Sequence, residues 1–218
     1  MRAVIPFKKD NAKSRLSGVL SKNQREEFAM KMLHDVVNAL LESDVFTDID
    51  ILHSSISSII NNNYPSNVNL LVSDKNLNNA LNEYLEKASS HTNDEILIIM
   101  ADMPLVTKKQ IHQMIGLKGD VIIAPGSRGG TNALLIRRPD EFRVDYYGIS
   151  FLDHVRISKE AGLDVDIFDS FMVSTDMDEP NDLIELLIHG RGSAVEYIKN
   201  LGISLDTCTG TLYFENKN

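Results

Sequence analysis
The chain is 218 residues long, 43% hydrophobic and 24% charged, the balance of one domain, residues 1–218, large enough to bury a core. Its 22 Lys and Arg stand against 31 Asp and Glu, a formal net charge of −9, which argues against a global attraction to nucleic acid or to an anionic membrane. A polyanionic ligand must then be held by a local basic cluster or by metal ions. The single cysteine, Cys208, excludes an intramolecular disulfide and any zinc site built on two thiolates, and it suits a reducing cytoplasm. No apolar run approaches the roughly 18 residues of a membrane span, and the opening run 3–7 is too short for the core of an export signal.

In chain order, residues 3–5 read as a first strand. The segment around its end carries Arg2, Lys8, Lys9, Lys13 and Arg15 against one acid, Asp10, a local charge of +4 inside an acidic chain. In an open parallel sheet such a loop faces the ligand crevice, so Lys8, Lys13 and Arg15 are placed to surround a polyphosphate. A solvated basic loop fits the same residues. A long helix is predicted over 21–42, where Phe28, Met32, Leu33, Val36, Val37, Leu40 and Leu41 keep a 3.6 period and Ser21 with Gln24 forms a capping box. Strands follow at 49–53 and 68–72, the polar stretch 61–69 reading as a surface connection, and then a helix at 77–88.

Residues 95–100 form a buried-strand pattern that stops before Pro104, which places Asp102 at the carboxyl edge of a central strand, where open α/β sheets bind ligands. The same Asp also fits a turn or helix cap. A helix at 108–115 opens on a second capping box, Thr107 with Gln110. Strands at 121–124 and 132–136 flank Gly126, Gly129 and Gly130, either an anion-approaching loop or a simple hairpin turn. Gly148 and Ser150 lead into a helix at 151–161, with Ser150 as its cap and its first N–H groups open to a phosphate or carboxylate. A strand at 165–168 precedes Asp176-Met177-Asp178. In extended backbone the two carboxylates share a side and a cation while Met177 faces apolar packing, and hard oxygen ligands favour Mg²⁺. Asp178 before Pro180 also suits an N-cap for the helix at 181–189. After a helix at 194–201, residues 207–218 have no clear period and are an edge strand, an oligomer contact or a loose tail.

Strand–helix alternation implies a single-domain α/β fold, a mostly parallel twisted sheet with helices on both faces. The six histidines show no zinc-ligand spacing, and neither a dinucleotide glycine fingerprint nor a Walker loop is present.

The segments together resemble one family, the archaeal 2-phospho-L-lactate guanylyltransferase (CofC) family of coenzyme F-420 biosynthesis. The resemblance rests on Pro6, Lys8 and Ala12 to Leu16, on Leu20, Ser21 and Arg25, on Asp102 to Leu105, on Gly130 to Leu135, on Gly148 to His154 and on Asp176 to Leu183, in order. It implies a glycosyltransferase-A-like nucleotidyltransferase that uses Mg²⁺ to join GTP to 2-phospho-L-lactate, giving lactyl-2-diphospho-5'-guanosine and pyrophosphate. Carried over by motif, Asp102, Asp176 and Asp178 hold the metal. Lys8, Lys13, Ser14 and Arg15 hold the triphosphate, with Lys13 also catalytic, and Thr131, Gly148 and Ser150 lie near the small phosphorylated hydroxy acid. Asn78 or nearby backbone is the candidate reader of guanine, and a homodimer is expected for an enzyme of this size.

The residues agree with this chemistry in one respect: a phosphomonoester with a second pKa near 6 is already largely dianionic at pH 7, so no His or Cys base is required. Three rivals stay open on sequence. One is a nucleotidyltransferase acting on phosphoenolpyruvate, phosphoglycerate or a sugar phosphate. Another is a Mg²⁺-dependent phosphatase, disfavoured because its Asp-x-Asp normally follows the first strand, and the third is a non-catalytic nucleotide-binding domain.

Overall fold
A computed structural model describes residues 1–9, 12–54, 64–91 and 94–214; Asp10, residues 61–63 of the polar connection and residues 215–218 of the tail lie outside them. Seven strands, β1 (Arg2–Phe7), β2 (Asp48–His53), β3 (Val68–Val72), β4 (Ile96–Ile99), β5 (Val121–Pro125), β6 (Thr131–Ile136) and β7 (Val165–Ile167), form one sheet in the order β3-β2-β1-β4-β6-β5-β7. Only β6 runs against its neighbours, pairing antiparallel with both β4 and β5. The mostly parallel sheet expected from the sequence is present, with one reversed strand in its interior.

Side-chain alternation divides the core into two layers. Leu97 and Ile99 of β4 join Ala3, Ile5, Ile122, Ala124, Ala133 and Leu135 on one face, where helices α1 (Lys22–Ser43), α3 (Lys108–Ile115), α6 (Asp182–His189) and α7 (Ser193–Asn200) pack. Ile96 and Ile98 join Val4, Val121, Ile123, Leu134 and Ile136 on the other, under α2 (Leu77–His91) and α4 (Ser150–Glu160). Both capping boxes form, Ser21 with Gln24 and Thr107 with Gln110. The short helix α5 (Phe171–Ser174) and strand β8 (Ile203–Asp206) have no counterpart in the sequence reading; β8 pairs with β9 (Thr211–Phe214), so of the readings offered for the tail the strand is the one seen over 211–214.

A buried carboxylate pins α7 to α1. Asp35 accepts from the Ser193 and Ala194 N–H groups at 2.7 and 2.9 Å, satisfying donors that a helix start leaves open. A Cβ on Gly192 would lie 2.4 Å from the Asp35 carboxyl, so only glycine allows this approach.

The sheet also opens its own crevice. Pairing of β1 with β4 stops at Val4–Ile98, whereas pairing with β2 continues to Phe7–His53. Beyond Val4 the two central strands part, and Pro6, Phe7 and Met100 line the gap. Reversal of β6 brings its first residue, Thr131, to this same edge, because Met100 N–H donates to Asn132 O at 2.9 Å.

Candidate active site
The basic segment after β1 folds back as a short 3₁₀ turn, Ser14–Gly18, anchored by Leu16, which is fully buried. Lys13, just before it, has φ of 53°, an uncommon left-handed conformation for a residue with a side chain, and it points inward. Its Nζ donates to Asp102 Oδ2 at 2.6 Å and to Asp178 Oδ1 at 2.8 Å, joining residues 89 and 165 positions away. Arg15 reaches Asp178 Oδ2 from the outer side at 3.2 Å. Lys8 and Ser14, both exposed, line the same pocket of about 330 Å³ with Lys13, Arg15, Asp102 and Asp178.

Asp102, Asp176 and Asp178 each bring one carboxylate oxygen to within 4.8 Å of the others. One backbone link and one packed side chain fix this. Met177 N–H donates to Asp102 O at 3.1 Å, and the fully buried Met177 side chain enters the core between the two acids, so both carboxylates are held away from it. Asp178 is not spent as a helix cap: Asp182 turns back to accept from the Asp178 and Glu179 N–H groups at 2.8 and 2.6 Å, leaving the Asp178 carboxylate to the cations.

The two acids of this pair differ electrostatically. Burial, reinforced by the charge of Asp102, pushes the Asp176 carboxyl above the usual carboxylate range. Burial acts on Asp178 too, but Lys13 and then Arg15 overcome it and hold that carboxyl below the range. Lys13 in turn is raised, the two aspartates outweighing its burial. Asp102 Oδ1 is buried without a hydrogen-bond partner among the described residues. An orphan carboxylate oxygen beside a carboxyl that resists ionisation is a donor set short of positive charge, and an all-oxygen set of this kind suits Mg²⁺.

At the same sheet edge, where β6 begins, Thr131 and Ser150 are each 3% exposed, and Ser150 Oγ donates to Thr131 Oγ1 at 3.3 Å. Ser150 therefore does not cap α4, correcting the sequence expectation; Ile149 stands at that position and makes no side-chain cap. The preceding Gly148, at φ of 67°, makes the left-handed bend that turns Ser150 inward. The glycine turn is the β5–β6 hairpin, and it also carries Arg128, which pairs with Glu179 at 2.9 Å next to the acid cluster.

Asn78, the candidate reader of guanine, is held within the fold. Its amide is buried, with Nδ2 donating to Asp145 Oδ1 at 2.9 Å and Oδ1 accepting from Tyr146 N–H at 2.7 Å, so both ends tether the loop before α4. The sequence reading missed a largely apolar slot of about 320 Å³ next to Lys8, lined by Phe7, Leu52, Leu77, Ala80 and Met100. Strand and helix patterns marked these residues as packing, and the slot exists only once the ends of β1 and β2 and the start of α2 are brought together.

Residues 1–214 match the family described as guanylyl transferase CofC like. The chain belongs to that family. It is 51% identical over 197 residues to a 2-phospho-L-lactate guanylyltransferase from Methanococcoides burtonii, covering 90% of this chain and 88% of that one. With the protein of the same name from Methanosarcina mazei the identity is 47% over 200 residues, 92% of each chain. Among solved structures, one from Desulfovibrio desulfuricans G20 assigned as a nucleotide-diphospho-sugar transferase superposes with a TM-score of 0.74 at 16% identity, over 91% of this chain and 94% of that one. A 4-diphosphocytidyl-2C-methyl-D-erythritol synthase from Anaerococcus prevotii gives 0.57 at 11%, over 91% and 95%. These two likenesses are of fold, and the fold of this CofC-family chain is the nucleotidyltransferase α/β sheet expected from its sequence. Among the described residues no helix is long and apolar enough to cross a membrane.

Proposed function
We propose that this CofC-family chain transfers the guanylyl group of GTP to 2-phospho-L-lactate, forming lactyl-2-diphospho-5'-guanosine and releasing pyrophosphate. The observation that carries this reading is the convergence of Lys13 with Asp102, Asp176 and Asp178 at the sheet edge, in a chain whose relatives bear that activity in their names. A phosphate oxygen of the acid attacks the α-phosphorus, the new P–O bond forms, and the bond to the pyrophosphate oxygen breaks. The attacking dianion needs no side-chain base at pH 7. Repulsion between two polyanions is the obstacle, and Lys8, Lys13 and Arg15 lower it along one wall of the pocket while Ser14 offers a hydroxyl donor. Mg²⁺ bound by Asp102, Asp176 and Asp178 supplies further neutralisation of the phosphates.

The slot beside Lys8 suits the nucleobase, being largely apolar and adjoining the proposed triphosphate loop at Lys8. Thr131, Gly148 and Ser150 receive the phosphorylated acid, the two hydroxyls suiting its carboxylate. A cytoplasmic setting agrees with the single cysteine, and a homodimer is the assembly expected for its size. Incubating the protein with Mg²⁺, 2-phospho-L-lactate and each of four nucleoside triphosphates, with pyrophosphate measured, tests the reading. Release with GTP above the others is expected. Release with phosphoenolpyruvate, phosphoglycerate or a sugar phosphate but not 2-phospho-L-lactate would reassign the acceptor, and GTP binding without release from any acceptor would leave a binding domain.

A further inference from the structure
His154 is the one histidine of the Gly148-to-His154 motif, and its surroundings fix its chemistry. It lies on α4, is fully buried, and is held between Tyr146, whose ring meets it edge-on at 4.9 Å, and Phe142 at 6.0 Å. Its Nε2 lies 3.0 Å from the Asp145 backbone nitrogen. A backbone N–H can only donate, so Nε2 must carry a lone pair. The proton of the neutral ring is therefore on Nδ1, 2.9 Å from Thr131 Oγ1, and Nδ1–H donates there. Burial independently holds the ring neutral, lowering its pKa to about 4.

The consequence falls on the two hydroxyls. Thr131 and Ser150 own two hydroxyl protons, and one is used in the bond between them. Thr131 Oγ1 already receives the histidine proton, so the second hydroxyl proton cannot turn back to Nδ1 and has no acceptor in the cluster. A ring with the opposite tautomer would reverse this: bare Nδ1 would take the Thr131 proton, and the pair would face outward as an acceptor.

We propose that His154 is a positioning residue that, through the Nδ1–H tautomer imposed by the Asp145 amide, makes the Thr131–Ser150 pair an obligate outward donor for an anionic oxygen of the phosphorylated acid. This rests on the reading above for the identity of the ligand, but not for the direction of the hydrogen bonds. It assigns to an otherwise inert core histidine the selection of an acid over an uncharged analogue at that subsite, because a fixed donor in a buried setting favours an anionic acceptor.

Asparagine places an amide N–H near the Nδ1 position, whereas glutamine reaches the Nε2 position and leaves Thr131 without that donor. In His154→Gln the KM for 2-phospho-L-lactate should rise at least about tenfold, the loss expected for a hydrogen bond to a charged group, with the KM for GTP unchanged. His154→Asn should recover most of that loss. A merely structural role would instead rank the two variants by stability and move both KM values together. Nitrogen-15 spectra of the intact wild-type protein, with His154 assigned by loss of its signals in His154→Asn, should show protonated Nδ1 and bare Nε2. A protonated Nε2, or a His154→Gln enzyme that folds and keeps its acid KM, overturns the positioning role while leaving the guanylyltransferase reading intact. A wild type that shows the Nδ1–H signal but transfers GTP only to another phosphorylated acid overturns that reading alone, and the acid KM is then measured on the acceptor that is used.

Discussion
The two residue clusters proposed to receive substrate are built by opposite means. One is ionic: Lys13 bridges Asp102 and Asp178, Arg15 reaches Asp178 from outside, and Asp176 lies beside them, with Asp178 about 30% exposed and Arg15 about 59%. The other is neutral: Thr131, Ser150 and His154 are buried almost completely and connected by hydrogen bonds without a formal charge among them. A charged wall can adjust its affinity as phosphates and metal come and go, but it is sensitive to pH and salt. A neutral wall gains little from long-range attraction and is set in advance by packing, so its direction survives changes of solution conditions. The reaction brings in a mobile polyphosphate on one side and a small acid of fixed shape on the other, and the walls match that division.

Breaking the ionic wall should have the largest effect. Asp102→Asn, Asp176→Asn and Asp178→Asn are each expected to cut Mg²⁺-dependent turnover by at least about tenfold, the scale at which metal-site partners act, with circular dichroism unchanged. Wild-type turnover in all three would remove the metal assignment. Next in size, Lys13→Ala or Arg15→Ala should weaken GTP binding or slow transfer by more than about tenfold, against little change for Lys108→Ala or Lys159→Ala on exposed helix positions. Equal small effects at all four sites would make the basic segment a solvated surface. Lys13 should exceed Arg15, because it bridges two acids and is far less exposed.

The neutral wall sharpens the contrast through pH. With the His154 pKa near 4, the acidic limb of the rate profile should follow the second ionisation of the substrate phosphate near pH 6, moved by Mg²⁺, and should persist in His154→Gln. Disappearance of that limb, with a loss of about a hundredfold, would identify His154 as a general base. The same depression affects stability. The folded ring stays neutral where the unfolded one takes a proton, so its contribution is complete above the ordinary histidine pKa near 6.5 and declines as pH falls from there to about 4. Urea titrations of wild type and His154→Gln over that interval should converge toward lower pH.

The smallest expected effect separates two neighbouring carboxylates. The raised carboxyl of Asp176 makes its ionised form a burden on the metal-free fold, so Asp176→Asn should raise the melting temperature at pH 7 by roughly a few degrees. Asp178→Asn should lower it, because the depressed carboxyl contributes stability above the unfolded pKa that is lost only as pH falls through the folded one. Shifts of the same sign in metal-free protein would mean that the two acids share one environment.

Local physics made most of the fold legible. Strand and helix identities follow from periods of 2 and 3.6, and the capping boxes at Ser21 and Thr107 from side chains bonding backbone three residues away, so residue order alone determines them. The spacing of Asp176 and Asp178 around Met177 likewise implied two carboxylates on one side and an apolar side chain on the other. What the chain order could not contain was direction and distance between remote segments. The reversal of β6, which carries Thr131 to the crevice, depends on pairing with both β4 and β5. The commitment of Asn78 to the Asp145 loop and the turning of Ser150 from cap to hydroxyl partner depend on packing against α4. Only the assembled structure decides that Asp176 and Asp178, alike in sequence, are pushed in opposite directions, and that His154 is locked neutral with its proton on Nδ1. Those properties come from burial and from groups 9 to 165 residues away, whose positions are fixed only when the sheet and both helix layers have formed.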